Sequence, residues 1–541
     1  MIMKFIYYIN YKYSNYFVHI KEFKRFKKQY SSLFSKYKFK NIKEKNALIL
    51  CNHENYYSIK IELIFSLILK HKGYNIYFLC DKYYWINKYI KWTKLGSIIY
   101  LDKYYNRESN FQNLNFFDLD YNIANITKMR YKDVWIGPQI LSSIFRRLKA
   151  AGHINLNENE TKIKIKEIIK NSIDYVEIGK KICKEKRFDL CVLNEPNYEI
   201  NSALTDTFIS NNIDVVQYLQ PSKDDALTLR RLNTLTRREH PCSLSKQNFN
   251  FLINGNWSNK HELDLKKEFN SRYDGTHYLQ ARNQYSSNQD DYKTTKKLLG
   301  ISKNSKKKIA CIFSPVLWDA NLFYGEDLFD DFGDWLKQTL IAAKENKNVI
   351  WLFKLHPANL WKMQRDGNKG KSADYKIINE LFSEIPTNIK ILSPDAMINN
   401  LNLFKIIDYG ITVRGTVGVE LPCFGVPLLT AGTGRYSNLG FTIDSSTKKE
   451  YLDKLSNIQK IPLMNTNQIK LAKWHAYGTL ILRPWYMKSF KTVFHKTKYK
   501  NIRNYDIDFV PVISSLEKLF SSEDIIKLDN WFSSDNVDYL N

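Results

Sequence analysis

The chain has 541 residues, too many for one ordinary core, so two or three domains are expected. Hydrophobic residues make up 44% and aromatics 14%, which excludes wholesale disorder. Cys51, Cys80, Cys183, Cys191, Cys242, Cys311 and Cys423 form no C-x-x-C pair; this argues against a zinc site or a disulfide framework and suits a reducing compartment.

The formal net charge of +27 has two readings. One is attraction to anionic lipid, nucleic acid or a phosphorylated substrate; the other is a bias toward Lys, Asn, Ile and Tyr along the whole chain. Residues 1–45 form a basic amphipathic segment with twelve Lys/Arg against two Glu. Such a helix either lies on an anionic bilayer or packs Phe23, Phe26 and Phe34 on the core. No stretch reaches about 18 consecutive apolar residues, so no transmembrane helix is expected. Residues 1–10 lack a cleavage pattern and make a poor signal peptide.

A strand over 47–52, a helix over 59–71 ended by Gly73, and a strand over 74–80 make a βαβ opening and imply a parallel sheet. Residues 100–160 give no clear pattern. A helix is expected over 162–184, then strand 188–194, helix 201–210 and strand 213–219. Asp224, Asp225, Arg230 and Arg231 follow, as an anion-binding cluster or a solvated charged face. Residues 283–297 read as a linker or exposed helix. A second α/β half then begins with strand 308–313, helix 332–346 and strand 349–354.

Two signals carry chemistry in this second half. His356-Pro357 lies just past the carboxyl end of strand 349–354, where Pro removes a pairing N–H. Ligands of open α/β sheets bind outside those ends. The second signal follows strand 406–413, where Arg414-Gly415-Thr416-Val417-Gly418 opens a helical run toward Cys423-Phe424-Gly425. A strand-to-helix turn points unpaired N–H groups and partial positive charge at an anion, and glycines allow close approach. Here Thr416 and the N–H groups of Gly415, Val417 and Gly418 are expected to hold the same phosphate as His356. His356 would gain charge assistance if protonated. Arg414 and Arg435 are candidate leaving-group stabilisers. Ser393, in Ser393-Pro394-Asp395 after a strand, is a candidate for the base pocket. Trp318 and Asp319 face the cleft or belong to the core.

The His-Pro pair, the Gly-Thr turn, Glu420 and the Gly425-Val426-Pro427-Leu428-Leu429 strand together resemble bacterial capsule polysaccharide biosynthesis proteins, including Kdo-transferase-like glycosyltransferases with a GT-B fold. The likeness covers roughly 305–445, including Ser314-Pro315-Val316-Leu317-Trp318-Asp319-Ala320. Many relatives carry Ser-Ser where this chain has Arg414-Gly415-Thr416, so the sugar nucleotide stays open. The resemblance implies an α/β, GT-B-like fold with two Rossmann-like domains across a cleft. The expected division is 1–45, then an acceptor-side domain 46–295, a nucleotide-sugar domain 296–500 and a helical tail 501–541. It also implies Ser314 in the nucleotide site and Glu420 on the ribose hydroxyls.

A catalytic base is expected from the first half, within reach of the acceptor hydroxyl. Glu195 comes first, past strand 188–194; His53 and Glu54, past the first strand, follow, or these residues only cap helices. The implied enzyme is a metal-independent glycosyltransferase with no cofactor. Its partners are a nucleotide-sugar donor such as CMP-Kdo and a glycan or lipid-linked acceptor, at the inner face of the cytoplasmic membrane. Alternatives are a CDP-glycerol-type glycerophosphotransferase and a basic nucleic-acid-binding protein.

Overall fold

The computed structural model describes residues 2–34, 45–105, 120–152, 154–221, 223–281, 292–302, 304–365, 371–494 and 507–541, with side chains of the first helix from Tyr16 onward. Most of the expected linker at 283–297 lies outside these residues.

The first half contributes β1 (Asn46–Leu50), β2 (Asn75–Cys80), β3 (Gly96–Tyr100), a short hairpin of β4 (Arg130–Tyr131) and β5 (Val134–Trp135), then β6 (Leu190–Leu193), β7 (Asp214–Leu219) and β8 (Ala226–Leu232). The second half contributes β9 (Lys308–Phe313), β10 (Val349–Lys354), β11 (Ile389–Leu392), β12 (Tyr409–Thr412) and β13 (Leu428–Thr430). β14 (Pro484–Tyr486), β15 (Phe490–Phe494) and β16 (Ile507–Pro511) follow.

The first sheet runs β14-β8-β7-β6-β1-β2-β3 and the second β11-β10-β9-β12-β13. Counting parallel strands in chain order, each sheet reads 3-2-1-4-5, the doubly wound arrangement. β8 and β14 extend the first sheet antiparallel. Helices cover both faces, which is why the strands read as continuous apolar runs. The order reverses between β1 and β6 and again between β9 and β12, and a crevice opens outside the carboxyl ends there. These two Rossmann-like halves face one another across a cleft, a GT-B-like plan.

Local chemistry fixes the first crossover. Asn55 caps the helix Tyr56–His71 by accepting from the N–H groups of Tyr57 and Ser58, and Gly73 follows at φ 90. This helix is buried almost throughout, including Lys60 and Glu62. The Lys60 ammonium donates to Glu22 at 2.7 Å and to Asp508 of β16. Arg25 reaches the same two carboxylates, at 2.5 and 3.1 Å. Burial pushes the Asp508 carboxyl up, but Lys60 and Arg25 more than offset that and hold it below its ordinary value. On the N-terminal helix (Ile2–Phe34), Phe26, Tyr30 and Leu33 are fully buried. From about Glu22 onward, then, this segment packs on the core rather than standing apart from it.

The expected divisions at 295 and 500 give way. Leu244, Phe249, Leu265, Phe269 and Tyr273 belong to the apolar core of the second sheet. The chain returns to the first sheet at β14, and the closing segment 507–541 holds a strand as well as helices. Pro484 is tolerated there because it opens an edge strand. Another apolar cluster runs from Leu48 and Ile140 in the first half to Trp335 and Trp351 in the second. The halves meet closely where Gly152 donates to the Asp331 carboxylate at 2.9 Å. A Cβ at Gly333 would stand 2.2 Å from the Gly152 nitrogen, so only glycine fits.

Replacing Lys60 by Ala leaves two buried carboxylates with only the partly exposed Arg25 beside them. The expected loss in urea unfolding is about 3–5 kcal/mol. A loss below about 1 kcal/mol, the range of an exposed pair, would show that the cluster does not anchor the N-terminal helix.

Candidate active site

A cavity of about 1530 Å³ lies between the halves, at the carboxyl ends of both sheets. From the second half it is lined by Ser314 after β9, Lys354 and His356 at the end of β10, and Arg414 through Val417 after β12, with Glu420 and Arg435. From the first half it is lined by Glu195, Tyr198, Gln217 and His240, among others. His53, Glu54, Gly418 and Ser393 are not in its wall.

His356 accepts from the Ala358 N–H at Nδ1, 3.1 Å, so the ring proton sits on Nε2, the nitrogen left for a ligand. Burial, with Lys362 and Lys354 adding to it, lowers the His356 pKa to about 4. The imidazole is therefore a neutral donor at pH 7, and the expected charge assistance from a protonated ring does not arise.

The Gly415 turn is shorter than expected. A four-residue α-turn (Val417–Glu420) passes into a 3-10 turn (Leu421–Phe424), so its partial charge is that of one turn. Gly415 N–H donates to Thr412 Oγ1 at 3.3 Å, and Gly418 N–H donates to Gly415 O at 3.0 Å. That leaves the N–H groups of Thr416 and Val417 without a partner among the described residues. Gly418 is a packing glycine: a Cβ there would lie 2.0 Å from Cζ of Tyr436. β9 stands between β10 and β12, which puts His356 and the Gly415 turn about 10 Å apart at the backbone. Both line the same cavity.

Several expected ligands are already engaged. Arg414 donates to Thr433 O, to Asp327 Oδ1 at 2.8 Å and to Glu326 O at 2.8 Å. It binds the loop 432–434 to the segment 326–327 and has little left for a leaving group. Glu420 is only 2% exposed; it accepts from Arg272 Nε at 2.7 Å and from the Tyr273 hydroxyl, so its carboxylate anchors a helix of the chain instead of waiting for ribose. Ser314 gives its proton to Asp374 at 2.7 Å and cannot donate to a phosphate in that state. Burial pushes the Asp374 carboxyl up to about 6. Ser393 is tied to Asp395 at 2.6 Å.

On the first side, His53 donates from Nε2 to Glu62 at 2.8 Å and accepts the Asn55 N–H at Nδ1, 3.0 Å. It organises the start of a helix, and the exposed Glu54 stands outside the cavity wall beside it. Glu195 is exposed at the cavity, two residues past β6, at the first sheet's switch point. Its carboxylate has no side-chain partner among the described residues. Arg230 and Arg231 are buried in β8 and paired with Glu239 and Asp214, so they form no anion cluster. Asp319 does face the cavity, held by Arg146 and Tyr198 at 2.7 Å each and by Lys362. Trp318 lies beside it under the Lys362 ammonium.

Arg435 is only partly engaged. Its Nη1 donates to Arg414 O at 2.8 Å and its Nη2 reaches Thr416 Oγ1 at 3.4 Å, while its buried Nε has no partner. Lys354 was not singled out from sequence. It is 7% exposed, lines the cavity, and its ammonium contacts no acceptor among the described residues. Burial lowers its pKa. The one charge in the apolar run Val349-Ile350-Trp351-Leu352-Phe353-Lys354, directly before His-Pro, was the available signal. Among the described residues no three His, Cys, Asp or Glu side chains cluster as a metal site.

No protein-family model and no curated protein matches the chain. Solved structures align with it at low identity and low TM-score. A KpsC beta Kdo 2,4 transferase from Thermosulfurimonas dismutans aligns at 11% identity and TM-score 0.33 over 55% of this chain and 81% of that one. UDP-GlcNAc 2-epimerase from Neisseria meningitidis aligns at 11% identity and TM-score 0.27 over 80% and 95%. HepE from Anabaena, solved with UDP and glucose, aligns at 11% identity and TM-score 0.25 over 80% and 94%. At these identities the site has to be read from the chain's own residues.

The buried histidines set an acid limit. Burial lowers His356 to about 4 and His475 to about 3, and lowers His240 well below its ordinary value. An unfolded imidazole takes up its proton near 6.5. As pH falls from about 6.5 to about 4 the unfolded chain binds more protons than the folded one, so stability is lost across that window. Thermal midpoints are expected to fall steadily there, and His475→Phe should flatten the slope. A midpoint flat from pH 7 to 4 would contradict the neutral assignments.

Proposed function

We propose that this chain is a GT-B glycosyltransferase that moves a sugar from a nucleotide-activated donor to a glycan or lipid-linked acceptor in surface-polysaccharide assembly. The observation that carries the reading is Lys354, a buried ammonium without a counter-charge at the carboxyl end of a doubly wound sheet. A desolvated cation of this kind is stabilised when an anion binds. The His356 Nε2–H, the Thr416 and Val417 amides and Arg435 supply donors around it. The donor's phosphate, with the groups attached to it, would lie between His356 and the Gly415 turn. The resemblance in the His-Pro, Gly-Thr and Gly-x-Pro segments supports a CMP-Kdo-like donor.

In a single displacement the acceptor oxygen attacks the anomeric carbon and Glu195 takes the hydroxyl proton. The anomeric C–O bond to phosphate breaks, and its electron pair leaves with the nucleotide. Lys354, His356 and Arg435 offset the charge that develops on the leaving phosphate, so the reading needs no metal. The exposed face of the N-terminal helix carries Lys21, Lys24 and Lys28 beyond the exposed Tyr16 and Phe17, which supports contact with an anionic membrane surface.

Calorimetry with CMP and UDP tests the nucleotide site. Lys354→Met is expected to weaken nucleotide binding at least about tenfold, in line with losing one charged hydrogen bond. Unchanged affinity, or no binding of either nucleotide by the wild type, would remove the reading. Glu195→Gln is expected to lower kcat by about 10²- to 10⁴-fold with nucleotide affinity retained; wild-type turnover would move the base elsewhere. The acceptor's mass shift distinguishes the alternatives: a sugar residue fits the proposal, a glycerol phosphate the phosphotransferase. Binding of oligonucleotide that falls steeply with salt would favour the nucleic-acid reading.

A further inference from the structure

The two walls of the cavity differ in chemistry, and we infer that the first-half wall accepts an uncharged, hydroxyl-rich acceptor such as a neutral sugar residue. This rests on the glycosyltransferase reading of the same cleft.

Gln217 carries most of the argument. It sits in the middle of β7, is 4% exposed, and borders the cavity. Its side-chain amide makes no hydrogen bond to any described residue. The amide therefore offers the cavity a donor and an acceptor that no described residue takes up. Other amides border the same wall. Asn197 lines the wall near Tyr324, and its Oδ1 is buried without a partner among the described residues. Gln220 donates to the Tyr57 hydroxyl at 3.1 Å and keeps its carbonyl oxygen. Amides pair a donor with an acceptor, as sugar hydroxyls do, and Tyr57 and Tyr198 add aromatic surface to the wall.

Charge on this side points the same way. Arg146 is the one Lys or Arg of the described residues that faces the cavity from this wall; its Nη1 donates to Asp319 and Tyr198, and the Asp319 carboxylate at 2.7 Å offsets its charge. His240 is neutral: burial and then Arg435 and Arg414 lower its pKa. Glu195 contributes a carboxylate. An anionic acceptor would meet the Glu195 carboxylate there and only a guanidinium whose charge Asp319 already offsets.

Saturation-transfer NMR on the whole chain tests this, with methyl galactoside and N-acetylglucosamine as neutral probes and glucuronate and free Kdo as anionic ones. CMP and UDP titrations run in parallel. The neutral sugars are expected to give signal, the anionic ones at least tenfold less. Gln217→Leu is expected to weaken the neutral sugars at least tenfold while nucleotide affinity stays at the wild-type value, which also reports that the variant is folded. Gln217→Asn, which keeps a shorter amide, should lose less than the leucine variant. Anionic sugars binding as well as neutral ones would overturn the inference, as would silence from every neutral sugar or a leucine variant that binds them unchanged. Loss of nucleotide binding by the wild type would instead strike the transferase reading.

Discussion

Asp319 takes hydrogen bonds from Arg146 and Tyr198 in the first half and from Lys362 in its own. Burial alone would raise its pKa, but Lys362 and Arg146 override that and hold the carboxyl at about 2. The Asp319 side chain is 30% exposed, so the three donors replace only part of its water, and they do so only while the halves stay together. The spacing of the cleft therefore depends on this contact. So does its charge, because the contact consumes two of the cations at the cavity.

The remaining cations are distributed by the same rule. Arg414 is spent on Asp327 and two carbonyls, and Arg272 on Glu420. A buried guanidinium with its donors filled is a structural tie and not a ligand. Removing those ties leaves Lys354 and part of Arg435, both on the second-half wall. The net charge of +27 says little about this, since most of it is solvated lysine. What matters for binding is the small number of positive groups that the fold has desolvated and not paired.

The layout was legible where a physical signal is local. Apolar β-branched runs marked β1, β2, β6, β7, β9, β10 and β12, and the chemistry-bearing turns after β6, β10 and β12 followed from where strands end. β8 was missed because Arg230 and Arg231 look solvated until Asp538, about 300 residues away, is brought beside Arg230 and Asp214 of β7 beside Arg231. Glu420 reads as a helix-surface carboxylate until Arg272 and Tyr273 arrive from a helix that sequence assigns to the other half. Gln217 is a single polar residue in an apolar strand, and only the cavity beside it separates a ligand from a tolerated exception. Partners set by long-range contact are invisible to spacing and periodicity.

The return of the chain to the first sheet constrains how the halves can move. The chain crosses once after β8 and again before β14. Arg483 fastens these crossings together: its Nη1 donates to Pro241 O at 3.0 Å and to Ser243 O, and its Nη2 to Leu229 O at 3.0 Å. Asp538 closes the cluster at 3.5 Å from Arg483 and 3.7 Å from Arg230. The second crossing runs through a π-turn, Gly478–Leu482, where a Cβ on Gly478 would press on Leu244 and Leu252. With both connections pinned at one edge and Asp319 gripping across the cavity, a change of angle between the halves has to break the Asp319 contacts and turn about the Arg483 cluster.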